Sequence, residues 1–284
     1  MDPFDRLSLN TATTKRLTLV EAVQATQRHG LSHIGLWRDR VAEHGLTQSV
    51  GLLLESGLTV TSLCRGGFLT AADPAGQQAA LDDNRAAIIE AATLGTSELI
   101  MVVGGLPDGD KDLVAARERV AERIAELAPF AAEHGVRLVL EPLHPMYAAD
   151  RAVISTLGQA LDLAAPHPAS SVGVVVDTFH VWWDPDLAGQ VDRAGREGRI
   201  ASYQVCDFNL PIAADPLLSR GMMGDGVIDF ASISRYVAAA GYTGPVEVEI
   251  FNAEIWAADA DEVLTTMKQR WLDLVWPPLA GAAG

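Results

Sequence analysis

Three carboxylates and one amide recur at one kind of place in this sequence, at or near the end of a short apolar run. Glu141 follows Arg137–Leu140, Asp177 closes the run from Val172, Gln204 sits in the run 201–207, and Glu249 sits in the run 246–251. A charged group at the rim of a core is costly unless something pairs it. Each carboxylate taken alone reads as a helix cap or a surface ion pair. Taken together at matching positions, three negative charges repel strongly unless a cation lies between them. Oxygen ligands of this kind suit a hard or borderline divalent ion. Mn2+ is the first choice, with Mg2+, Co2+ and Zn2+ as alternatives. Neither Cys nor His occupies the four positions, which argues against a structural zinc site. In "VDTFH", His180 comes three residues after Asp177 and is expected to face the same cavity.

The elements that must position these groups alternate along the chain. Eight β-rich runs occur at 6–11, 33–37, 59–64, 98–103, 137–143, 172–177, 201–207 and 246–251. Helical segments lie between them. The stretch 112–135 places Val120, Ile124, Leu127 and Phe130 at three- and four-residue steps and stops at Gly135. Stretches 229–241 and 261–275 read the same way, the first opening on an acidic cap candidate. Strand–helix alternation implies parallel strands and right-handed crossovers. Eight units with a terminal helix predict an α/β fold, a single (β/α)8 TIM barrel over residues 1–276, with a frayed tail at 277–284. Dinucleotide and phosphate-loop folds lose their support, because neither G-x-G-x-x-G after the first strand nor G-x-x-x-x-G-K-[ST] is present. Barrel active sites sit at the C-terminal ends of the strands, where the four polar groups fall. Because strand side chains alternate, pointing these four inward puts Val139, Val175, Ser202 and Glu247 in the layer beneath. Glu247 then needs a partner that the sequence does not name.

Bulk composition narrows the partners. Of 284 residues, 49% are hydrophobic and 20% charged, a globular composition. Lys plus Arg number 21 against 37 Asp plus Glu, a formal net charge of −16. Nucleic-acid binding rests on phosphate neutralisation, so no nucleic-acid partner is expected. Nor is a membrane partner, since no apolar run approaches the ~18–20 residues of a span. The opening "MDPFDRLSLN" lacks a secretory pattern, so a cytoplasmic location is the expectation. Cys64 and Cys206 read as buried reduced thiols.

Five stretches carry a family likeness: "RLVLEPLHP", "VDTFH", "IASYQVCD", "RGMMGDGVIDF" and "GYTGPVEVEIF". With the strand pattern, they make the chain resemble the sugar phosphate isomerase/epimerase superfamily, the xylose isomerase-like barrels that include ketose 3-epimerases and inosose dehydratases. The resemblance implies a metal held by Glu141, Asp177, Gln204 and Glu249. Members often have His at the position of Gln204, and an amide oxygen coordinates more weakly than imidazole. It also implies that Glu141 and Glu249 remove and return a proton beside a substrate carbonyl through an enediolate, while His180 and Arg220 hold substrate oxygens. The implied partner is a small sugar or sugar derivative, and the implied assembly a homo-oligomer.

Further candidates for substrate contact are His144, three residues past Glu141, Trp183 beside His180, Arg65 in "CRGGF" as an anion contact, and Asp207 just beyond Gln204. Trp183 reads equally as packing, and Arg65 as a structural ion pair. A metal-dependent isomerase or epimerase is the leading expectation. The same site in a lyase or dehydratase is the alternative, and a non-catalytic sugar-binding subunit is a third reading. The endonuclease branch of the same barrel fits less well, with only seven His and a charge unsuited to DNA.

Overall fold

Eight parallel strands close on themselves in the structure, a computed structural model that describes residues 2–281. They are β1 (Leu7–Asn10), β2 (His33–Trp37), β3 (Thr59–Gly67), β4 (Glu98–Val102), β5 (Arg137–Leu140), β6 (Val172–Asp177), β7 (Ile200–Val205) and β8 (Val246–Val248). Each pairs with its sequence neighbour, and β1 closes on β8 with Leu7 opposite Val246. The expected TIM barrel is therefore present, with helices in the crossovers. Parallel strands in such a fold are covered on both faces and read as continuous apolar runs. All six residues of β6 are buried accordingly.

The helices follow from their caps and apolar stripes. The helix Leu113–Glu133 starts where Asp112 accepts hydrogen bonds from the Val114 and Ala115 amides. It buries Val120, Ile124 and Leu127 and ends before Gly135, whose φ of +70° suits glycine. The helix Phe230–Ala239 is capped by Asp229. The C-terminal helix Ala260–Arg270 passes through a π-helical turn, Trp271–Val275, into a last helix, Trp276–Gly281. Of the expected tail, the residues to Gly281 belong to this helix and Leu279 is buried, while 282–284 lie outside the described residues. Trp271 is fully buried and donates to the Pro3 carbonyl at 2.9 Å. No helix among the described residues is long and apolar enough to cross a membrane.

Inside the barrel, Cys64, Ile100, Val139, Val175 and Ala201 form a buried cluster separate from the helix-to-sheet core. Val139 and Val175 thus lie beneath the site as expected. From β7, Ala201 rather than Ser202 joins this cluster, beside a register irregularity between β6 and β7. Glu247 now has its partners. Asn10 Nδ2 donates to Oε2 at 2.8 Å and Thr61 Oγ1 donates to Oε1 at 2.7 Å. Gly35 leaves room for this carboxylate, because a Cβ there would run into Glu247 Oε2. Burial pushes the Glu247 carboxyl up, and the bonds from Thr61 and Asn10 hold it back.

Candidate active site

The C-terminal rim of the barrel gathers the polar groups. Glu141 is the first residue after β5, and Asp177 is the last of β6. Asp177 is both cap and site residue. Its Oδ1 accepts from the Phe179 amide at 2.8 Å and starts the short helix Thr178–Val181. Its Oδ2 accepts from Arg220 Nη1 at 3.0 Å. That helix turns His180 back over the barrel mouth. There, His180 Nε2 is 3.8 Å from Glu141 Oε1 and 3.9 Å from Asp177 Oδ2. One donor atom from each of Glu141, Asp177 and His180 lies within 4.8 Å of the others, a grouping suited to an ion. Sequence reasoning placed His180 on the substrate; the geometry puts it in the same cluster as two proposed ligands.

Glu249 follows β8 directly. Trp37, at the end of β2, donates from Nε1 to Glu249 Oε1 at 3.0 Å. Oε2 faces Arg220 Nη1 at 3.3 Å. Burial pushes the Glu249 carboxyl up to about 7 despite the Arg220 charge. Glu141 is driven well above the carboxylate range, by burial first and then by Asp177 and Glu249. A carboxyl group held as Glu249 is can take and give a proton near neutrality.

Arg220 is fixed by a two-stranded antiparallel ribbon, in which Phe208 pairs with Arg220 and Asp207 with Gly221. Its guanidinium touches Asp177 and Glu249 and lies 4.7 Å from the centre of the Phe179 ring. Burial opposes its charge, and the surrounding anions, Asp177 foremost, outweigh that and raise it. Arg220 Nη2 also lies 2.9 Å from His180 Nε2. The His144 amide donates to His180 Nδ1 at 3.1 Å, which leaves the neutral ring's proton on Nε2. Burial and the Arg220 charge keep His180 well below its ordinary value and so neutral. The Nε2 proton therefore confronts a donor and lacks a good acceptor until an oxygen enters the site.

Gln204 is opposite Asp177 in the β6–β7 register. Residues paired in register share a sheet face, so its side chain points inward with that of Asp177. It is 1% exposed, and neither amide atom has a hydrogen-bond partner among the described residues. Buried amides are normally satisfied. Three carboxylates and this free amide make an all-oxygen donor set that fits a divalent cation.

Arg65 lines the same cavity of about 200 Å³ as Glu141, His180, Arg220 and Glu249. Three other expected contacts are not among its walls. The His144 ring packs on Trp183 and Phe208, and its contribution is the main-chain bond to His180. Trp183 donates to the His180 carbonyl, so it braces the helix rather than forming a sugar wall. Asp207 accepts from the Phe208, Gly224 and Ile228 amides and clasps the loop that carries Arg220. The aromatic walls are instead Trp37, Phe68, Tyr147 and Phe251. Trp37 could have been found by the strand-end rule. Tyr147 lies in the loop after β5, where the topology alone pointed to the active face. Both cysteines are buried and free.

A family model described as xylose isomerase-like TIM barrel matches residues 21–272. The chain belongs to this family. The inosose isomerase of Halalkalibacterium halodurans is 22% identical over 278 residues, 95% of this chain and 96% of that protein. The 3-dehydroshikimate dehydratase of Pseudomonas aeruginosa is 30% identical over 171 residues, 58% of this chain and 25% of that protein. A crystal structure of a Sinorhizobium meliloti 1021 protein matches at 48% identity with a TM-score of 0.93, covering 96% of this chain and 99% of that one. The IolI protein, solved with a zinc atom, shares the fold at 21% identity with a TM-score of 0.83, covering 98% and 99%.

Proposed function

We propose that this chain is an enzyme that moves a proton beside a carbonyl group of a sugar or sugar-like substrate, as an isomerase or epimerase. The observation that carries this reading is the gathering of three buried carboxylates at the mouth of the barrel, Asp177 and Glu249 on the Arg220 guanidinium and Glu141 beside His180. Glu141, Asp177, Gln204 and Glu249 would hold the divalent ion, with Mn2+ favoured by their oxygen atoms. When bound, that ion supplies polarisation of the carbonyl and stabilises the negative charge of the enediolate. Glu249 acts as one proton carrier: Trp37 fixes Oε1, and Oε2, which faces Arg220, is the oxygen turned to the substrate C–H. Glu141 acts as the second carrier and returns a proton. His180 offers its Nε2 proton to a substrate oxygen, and Arg220 shares the developing charge. A positioned acid or base contributes ~10²–10⁴-fold. The test is exchange of the substrate α-proton in D₂O by Glu249→Gln and Glu141→Gln proteins loaded with Mn2+. Exchange is expected to fall by about that factor, and undiminished exchange removes the residue from the mechanism.

The second reading, a dehydratase, has the partial relationship to 3-dehydroshikimate dehydratase behind it. The same proton removal followed by expulsion of a β-hydroxyl gives elimination. Mass spectrometry separates the two, since epimerisation conserves mass and elimination loses water.

A further inference from the structure

Four donor side chains share the cavity with Glu141 and Glu249. Arg65, Arg151, Lys15 and Tyr147 all line it. The Arg65 side chain forms neither an ion pair nor a hydrogen bond among the described residues; its guanidinium carbon lies 4.0 Å from the centre of the Phe68 ring. Phe68 is held at φ +55°, a left-handed conformation that costs an aromatic residue energy and is kept only where its surroundings enforce it. A guanidinium stacked on a ring keeps its in-plane N–H groups free. Arg151 has a buried Nε without a partner, and its nearest carboxylate, Asp150, is 3.8 Å away. The Tyr147 hydroxyl is likewise buried without a partner. Among the described residues the Lys15 ammonium forms neither an ion pair nor a hydrogen bond, and it lies 5.6 Å from the centre of the Phe251 ring and 5.5 Å from that of Trp256.

This arrangement runs against the composition. In a chain with 37 acidic and 21 basic residues, most cations could find a carboxylate. Here three gather at one opening against aromatic rings, and among the described residues only Arg151 has a carboxylate partner, Asp150 at 3.8 Å. Burial holds Arg65 below the ordinary arginine value, and the nearby Arg151 charge adds to that. Like charges in a half-buried site repel, and a bound anion relieves the repulsion. The two guanidiniums and the Lys15 ammonium donate only, so they suit a group that only accepts better than a sugar hydroxyl, which donates as well.

We propose that the substrate carries an anionic group, a carboxylate or a phosphate, which Arg65 and Arg151 grip with help from Tyr147 and Lys15 while its carbonyl end faces Glu141 and Glu249. This rests on the reading of the site as a proton-transfer centre and names its substrate class. Arginine is the side chain whose planar fork matches both oxyanions.

The test uses full-length protein freed of metal with chelator, so that ion-bound phosphate does not contribute. Isothermal titration measures inorganic phosphate and acetate on the wild type, Arg65→Gln, Arg151→Gln and the double variant. Affinity for at least one anion is expected to fall about tenfold for each guanidinium removed. Arg65→Lys keeps the charge but loses the fork, and should fall in between. The preferred anion tells phosphate from carboxylate. Circular dichroism melting checks folding, and if the double variant melts early the single variants decide. Binding of neither anion by the wild type, or equal binding by all variants, overturns the proposal. Mn2+ binding, followed by electron paramagnetic resonance, reads the carboxylate centre separately. Its loss with intact anion binding would overturn the metal reading and leave the anion site standing.

Discussion

Trp37 Nε1 and Glu249 Oε1 are joined by a 3.0 Å hydrogen bond that spans from the end of β2 to the residue after β8. It crosses β1, which lies between those strands in the closed barrel. One oxygen of the carboxyl is thereby held by an indole, and the other is left facing Arg220.

The raised Glu249 value makes a pH prediction. Its folded value of about 7 lies above the ordinary 4.5, because burial disfavours the anion. The folded state therefore binds the proton more tightly than the unfolded state. The stabilisation is fully present below pH 4.5, declines as pH rises, and is gone above about 7. In metal-free protein, Glu249→Gln should show a shallower fall in stability between those limits than the wild type. Urea unfolding at a series of pH values checks this; parallel curves would refute it.

An ion held as proposed would compete with Arg220 for Asp177 and Glu249. Arg220→Gln leaves three buried carboxylates without their cation, and breaking such a pair costs about 3–5 kcal/mol. The metal-free variant should lose about that much stability. Its Mn2+ affinity should rise, because a like charge has left the centre. Calorimetric titration and denaturant unfolding measure the two effects, which have opposite signs.

Gln204 has an unpaired amide, so replacing it with an apolar residue of similar size should not harm the metal-free protein. Gln204→Leu is expected to be neutral or slightly stabilising, since an unsatisfied buried polar group costs about 1–3 kcal/mol. Its stabilisation by Mn2+ should be smaller than that of the wild type, where an ion at 100 times its dissociation constant contributes about 2.7 kcal/mol. Thermal melts with and without the ion make the comparison.

Gly35→Ala should push the Glu247 carboxylate off Asn10 and Thr61. Overpacking costs about 1–3 kcal/mol, and the loss should appear in unfolding experiments while Mn2+ affinity stays as it was. A change in affinity would mean that the barrel floor and rim are mechanically linked.

Local chemistry carried much of this molecule. Eight apolar runs with capped, amphipathic segments between them determined a barrel, because parallel strands and right-handed crossovers leave few other ways to bury such runs. Strand ends singled out Glu141, Asp177, Gln204 and Glu249, since period-two alternation and the rim position are both local properties. What lay outside local reach was which loops fold over that rim and which way long side chains turn. Only the tertiary structure brought Arg220 among the carboxylates, turned His144 and Trp183 into braces for His180, spent Asp207 on backbone amides, and gave Glu247 its partners from β1 and β3. It also assembled Lys15, Arg65 and Arg151 around one opening. Most of those contacts join residues far apart along the chain, and their geometry is set by barrel closure and loop packing.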